Sequence, residues 1–461
     1  MSRQPSQAVW LPKPMSPESP TTTAHLTRTI IDYADTRTVI AKEAIYNTQG
    51  TKILDQGASI HAGLYDRLMA HQLSRPLEDA LTVEGMVDGA AIRKGIEVAM
   101  GFEPFYARLA TRPQQVDRLL GILESIPLPE AVALQLTIAR DKRPSLYDHA
   151  LRSAWIMAWI MAWLSDDPLR PQFDIGMAAA AGLLHDLGML HLNPVLMDHK
   201  IQLTRELRRE LYSHPIVSTL LVERHHVYPQ EVVRAVMEHH EYLNGSGYPR
   251  GLRGRQISPM GQQLALTDLV VAMISGHDDG GELRLSVLLR MNMHRYARPL
   301  INRILGVLDP AQDPRSESVL PLAAPVDVLQ QVHRVLQDWP PPFAHSPDIT
   351  PARREGMAVV SELINELLRN LAEAGLTPAQ LEQLGNPTED PMLMKELSLL
   401  AREAVWQLRA LARQARQRWA ADQHSSHPGE LQAWLDSADA LSQRINGTSE
   451  GQEPVYTRAT H

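Results

Sequence analysis

The chain has 461 residues, of which 44% are hydrophobic and 21% charged, with 45 Lys+Arg against 53 Asp+Glu for a net charge of −8. This composition excludes a wholly disordered or collagen-like chain, and the acidic balance gives no support to a general DNA binder. Cysteine is absent, which removes disulfides, thiolate catalysis and Cys-based metal centres and fits a reducing cytoplasm.

Residues 1–26 carry Pro5, Pro12, Pro14, Pro17 and Pro20 among Ser and Thr. They read as a flexible lead-in, not as a secretory leader. Residues 27–85 read as a small α+β module. Thr38 to Asn47 is rich in β-branched residues, Gln49-Gly50 can turn the chain, and Lys52 to Leu54 follows as the second strand of a hairpin. His61 to His71 has the apolar spacing of a short helix.

From residue 86 to 308 the apolar spacing is helical nearly throughout. Helices are expected at Asp117–Ser125, Ala131–Ala139, Tyr147–Ser165, Ile175–Leu190, Arg205–Tyr212, His214–His225, Pro229–Glu241, Pro259–Ser275 and Ser286–Leu308. The longest apolar run, Ala154 to Leu164, has 11 residues. A membrane span needs about 20, so this run reads as a core helix, and Trp155, Trp159 and Trp163 as its packing. The segment 309–351 is proline-rich and reads as a linker with one helix near Val326 to Gln337. Residues 352–445 are helical again. There Leu393, Leu397, Leu400, Ala404, Leu408, Leu411 and Ala415 form a stripe suited to helix packing or a short coiled coil. The tail 446–461 is polar and reads as disordered.

The 19 histidines carry the chemical signal. His185-Asp186, in GLLHDLG, is uninformative alone, because such pairs occur by chance. It gains meaning from its company: His149, His214 in Ser213-His214-Pro215, His239-His240-Glu241, and Asp268 inside the apolar LALTDLVVAM. A carboxylate within an apolar helix is costly unless paired or metal-bound. Imidazole with carboxylate suits iron, manganese, zinc or nickel. By contrast, His225-His226 and the arginines from Arg402 to Arg418 read as surface. The loop after His240, HEYLNGSGYPRGL, adds Gly245, Gly247 and a stiffening Tyr248-Pro249.

Residues 130–310 resemble the HD-GYP domain, a bacterial subgroup of the HD metal-dependent phosphohydrolases. The motifs are HD at 185–186, HP at 214–215, HHE at 239–241, GSGYP at 245–249 and the helical Asp268. The resemblance implies a mainly α fold: an all-helical HD-type domain behind the small α+β hairpin module, with a helical C-terminal extension. It implies hydrolysis of cyclic di-GMP at two divalent ions, iron or manganese. One ion would be held by His149, His185, Asp186 and Asp268. The other would share Asp186 and use His214, His239 and His240. Two such ions lie about 3.5–4 Å apart. Asp186 and His185 would be central to catalysis, and Tyr248, Asn244 and Gly247 would line the substrate pocket. The chain departs from the family's HD-x-GK motif, with Met189 at the Lys position and His199 near a second family Lys. Asn244 replaces an Asp, and Leu269 to Asp279 replaces the DAL and RPYR signature. These departures point to slow hydrolysis, or to a binding or scaffold protein that senses a nucleotide. The C-terminal helices are the expected surface for a protein partner or self-association.

Overall fold

The computed structural model describes residues 20–109, 113–165, 175–197, 201, 203–275, 280–340, 350–384, 389–419 and 429–446. The lead-in before residue 20, the tail after 446 and His199 lie outside them. The fold is mainly α, as expected, with two small two-stranded sheets. The chain divides after Ser275 into two compact units.

The first unit opens with α1 (Pro20–Ala34), which begins inside the expected flexible lead-in and runs into the expected α+β module. Its Leu26, Ile30 and Ile31 recur at helical spacing and are buried, and Tyr33 Oη donates to Asp141 at 2.9 Å. Four strands follow: β1 (Val39–Ala41), β2 (Ile45–Tyr46), β3 (Lys52–Leu54) and β4 (Leu81–Val83), with the short α2 (Tyr65–Met69) before the last. β2 and β3 form the expected hairpin. β1 pairs instead with the distant β4, antiparallel, Val39 opposite Val83. This N-terminal segment belongs to the same compact unit as the helices after it. Arg224 ties them together, reaching Glu78 at 3.1 Å and Asp79 at 3.2 Å.

The helices α3 (Gly89–Phe102), α4 (Pro104–Leu109), α5 (Pro113–Glu124), α6 (Glu130–Lys142), α7 (Pro144–Ser165), α8 (Ile175–Leu184), α9 (Arg205–Leu211), α10 (His214–Arg224), α11 (Gln230–Glu238) and α12 (Pro259–Ser275) complete the unit. α7 is its axis. Trp155, Ile156, Met157, Ala158, Trp159, Ile160 and Met161 are all buried, so the helix is apolar on every side. It packs against α3, α6, α8 and α12. Within the described residues no helix is long and apolar enough to cross a membrane.

The second unit holds α13 (Gly281–Met291), α14 (Arg298–Leu305), α15 (Pro325–Gln337), α16 (Pro351–Glu373), α17 (Pro378–Gln383), α18 (Pro391–Trp419) and α19 (Gly429–Asn446). The single helix expected over Ser286–Leu308 is split in two. Asn292 turns its side chain onto the Leu288 carbonyl at 2.9 Å, and Pro299 starts a new helix because it lacks the N–H to continue one. The expected linker helix is α15, and it is no spacer. Leu329, Val332 and Leu336 sit in one core with the α18 stripe and with α16 and α19. The stripe therefore serves helix packing.

A histidine and carboxylate cluster as candidate metal centre

His149 stands in α7, His185 and Asp186 follow α8, His214 opens α10, His239 and His240 follow α11, and Asp268 lies in α12. The structure brings all seven together, in two sets. His149, His185, Asp186 and Asp268 form one and His214, His239 and His240 the other, with the candidate donor atoms of each set within 4.8 Å of one another. Asp186 faces both. Its Oδ2 lies 3.5 Å from His185 Nε2 and 4.0 Å from His149 Nε2. Its Oδ1 lies 3.3 Å from His214 Nε2 and 3.6 Å from His239 Nε2.

The local chain explains the aim of the rings. His185 Nδ1 meets the Gly182 carbonyl at 2.8 Å, His214 Nδ1 that of Leu211 at 2.7 Å, and His239 Nδ1 that of Val236 at 2.6 Å. These carbonyls belong to last turns of helices, where backbone acceptors lack partners. Each ring thus caps a helix end. This is why α8 and α11 stop before the residues 190 and 241 expected from spacing. A carbonyl only accepts, so Nδ1 carries the hydrogen and Nε2 turns a lone pair inward.

Those nitrogens face one another and the two carboxylates. His214 Nε2 is 3.1 Å from His239 Nε2 and 3.0 Å from His240 Nε2. Asp186 Oδ1 and His240 Nδ1 are buried with no hydrogen-bond donor or acceptor satisfying them. Facing acceptors in a buried site repel unless a cation lies among them. Burial disfavours the charged form of His185, but Asp186 and Asp268 outweigh it and raise its pKa to about 9, so at neutral pH its Nε2 carries a proton unless a bound cation displaces it. Burial also disfavours the two carboxylates. For Asp186 the imidazoles of His185, His239 and His214 prevail, for Asp268 those of His149 and His185, and both acids stay well below the usual carboxylate range. Burial, with His239 beside it, holds His240 neutral. The donor set fits divalent cations of the imidazole-and-carboxylate class.

Two glycines allow this convergence. A Cβ on Gly188 would lie 2.5 Å from the His214 carbonyl, so only glycine lets the turn after Asp186 meet α10. A Cβ on Gly247 would lie 2.3 Å from the His240 carbonyl. Gly247 folds its loop back on the histidines. Asn244 is also built into the loop, its Oδ1 accepting from Ser246 N at 3.1 Å and from Ser246 Oγ at 2.8 Å. Tyr248 is buried and stacks on His240, ring centroids 4.6 Å apart, with Tyr212 stacked on it at 4.2 Å.

Sequence reasoning named Glu241 within the HHE motif without giving it a role, and did not single out Tyr212 or Glu238. Glu241 Oε1 accepts from Arg250 N at 2.6 Å and Oε2 from Leu252 N at 2.8 Å. Glu238 Oε2 accepts from Ser258 N at 2.7 Å, and its Oε1 from Arg250 at 3.0 Å. Together they lace the glycine loop to α11. The signal was present as EHHE, two acids flanking the imidazoles. Met189, at the family's Lys position, packs against Leu192, Leu196 and Leu211.

Comparison with known proteins finds similarity over the same stretch of chain. Residues 134–298 match the HD domain. The chain is 30% identical over 117 residues to 3'3'-cGAMP-specific phosphodiesterase 1 of Vibrio cholerae, covering 25% of this chain and 27% of that protein. It is 30% identical over 93 residues to 3'3'-cGAMP-specific phosphodiesterase 3 of the same organism, covering 20% of each. The matched part thus spans about a quarter or less of these relatives. No solved structure matches significantly. Motif, helical scaffold and family match coincide on one stretch, residues 134–298, which is similar to an HD domain.

Proposed function

We propose that this protein is a metal-dependent phosphohydrolase that opens a cyclic dinucleotide at a site of two divalent ions. The observation that carries the reading is the division of the Asp186 oxygens between two donor sets, which is what a carboxylate shared by two ions requires. In this reading His149, His185, Asp186 and Asp268 hold one ion, and Asp186, His214, His239 and His240 the other. When bound, such a pair supplies Lewis acidity and activates water for attack on phosphorus. The chain's own groups do the rest. The backbone bonds to Nδ1 keep His185, His214 and His239 aimed, so no reorganisation is needed on binding. Tyr248 and Tyr212 close one side of the second set and exclude water.

The substrate class rests on the family resemblance and on the two relatives, which are named for 3'3'-cGAMP. The test is steady-state hydrolysis of 3'3'-cGAMP and of cyclic di-GMP by the metal-loaded chain. A linear dinucleotide product is expected from at least one, and none from Asp186→Ala. Equal turnover by Asp186→Ala would refute the mechanism. The packing of Met189 among leucines favours a second reading, in which the site binds a cyclic dinucleotide and turns it over slowly.

A further inference from the structure

Phosphate binding needs positive charge beyond the ions, and the Met189 side chain brings none. Arg143 is placed to bring it. It sits between α6 and α7, with its backbone N–H donating to the Ala139 carbonyl at 2.8 Å and its own carbonyl accepting from Leu146 N at 3.0 Å. Its backbone is thereby fixed at the start of the helix that carries His149. Six residues separate Arg143 from His149, which is about 9 Å along a helix. Its guanidinium reaches the turn after Asp186, where one nitrogen lies 3.4 Å from the Met189 carbonyl.

That contact is at the long limit for a hydrogen bond and uses one of five donors. No carboxylate pairs with Arg143 among the described residues, whereas Arg140 beside it is paired with Asp141 at 2.8 Å. Burial disfavours its charge without a carboxylate to offset it, yet a guanidinium stays protonated. An uncompensated, partly buried fork of donors between two ligand-bearing elements matches a phosphate oxyanion better than any group present.

We propose that Arg143 is a phosphate-positioning residue, holding a non-bridging oxygen of the phosphodiester beside the histidine cluster. The inference rests on the phosphohydrolase reading but has a test separable from it. The full-length, metal-loaded chain is titrated calorimetrically with inorganic phosphate, and KM and kcat are measured with 3'3'-cGAMP. Arg143→Gln is expected to weaken phosphate binding and raise KM by about 10- to 100-fold, with a smaller change in kcat and unchanged metal content. Arg143→Lys, which keeps the charge, should recover most of the loss. A phosphate Kd and KM equal to wild type in Arg143→Gln would overturn the assignment. So would loss of metal in that variant, or failure of both Arg143→Gln and Arg143→Met to fold, since either makes the cation structural. If the wild type turns over no cyclic dinucleotide while Arg143→Gln still loses phosphate affinity, the substrate reading fails and this assignment stands.

Discussion

Each of three imidazoles spends one nitrogen on a backbone carbonyl and offers the other to the cluster. This double use explains which residues were legible in the sequence. A histidine or aspartate interrupting an apolar helix is visible in one dimension, and all seven such residues converge. Tyr212 and Arg143 meet the site through contacts with residues distant in sequence, so no local spacing marks them. Met189 illustrates the difference. Three residues past Asp186 it should face the site, but the tight turn carries its side chain into a leucine cluster. Met189→Lys is therefore expected to lose about 1–2 kcal/mol of stability and to leave kcat/KM nearly unchanged, because the new charge enters the leucine cluster and not the site. Denaturant melts and steady-state kinetics read the two effects, and a rise in kcat/KM of about tenfold would argue against it.

His191 is a different buried imidazole, outside the cluster, 3.5 Å from Gln135 Oε1. Burial, with the Arg224 cation adding, pushes its pKa down to about 3. In the unfolded chain the value returns to about 6.5. The neutral ring thus stabilises the fold fully above about pH 6.5 and progressively less as the pH falls toward 3. Between pH 7.5 and 5.5 this group alone should cost about 1.4 kcal/mol. His191→Gln should reduce the loss by that amount in chelator-treated protein, measured by urea unfolding at the two pH values. An identical pH slope would contradict the assignment.

At the level of elements, long apolar repeats were legible and helix ends were not. The α7 run and the α18 stripe follow from spacing, because a buried helix must present its apolar residues at 3.6-residue intervals. α8 and α11 end early because histidine side chains take carbonyls that the helix would have used. α1 was hidden by Pro20 and by Thr21, Thr22 and Thr23, which read as loop or strand. Proline is in fact tolerated in the first turn of a helix, and burial of Leu26, Ile30 and Ile31 overrides weak propensity. β4 was missed because its partner β1 is some forty residues away, beyond any hairpin signal. α1 packs against the turn after Asp186 and against α6. Ile30→Ala is expected to destabilise the first unit by about 2–5 kcal/mol with metal content unchanged, because α1 supplies no donor. A shift below about 0.5 kcal/mol in chemical denaturation would show that α1 contributes little.

At the level of the whole molecule, all seven donors lie before Ser275, inside the first compact unit. The second unit has its own core and its own ion pairs, among them His294 with Glu366 at 2.7 Å. Family likeness therefore speaks for one stretch of the chain, and the chemistry proposed rests on the cluster itself. Its central claim is that Asp186 is shared by two ions. The most direct test is the metal-to-chain ratio of the purified full-length protein, by elemental analysis, beside His214→Ala, Asp268→Ala and Asp186→Ala. The expected ratios are two divalent ions for the wild type, about one for His214→Ala and for Asp268→Ala, and none for Asp186→Ala. A wild type holding one ion or none after loading, or an Asp186→Ala protein that keeps two, would contradict the shared carboxylate.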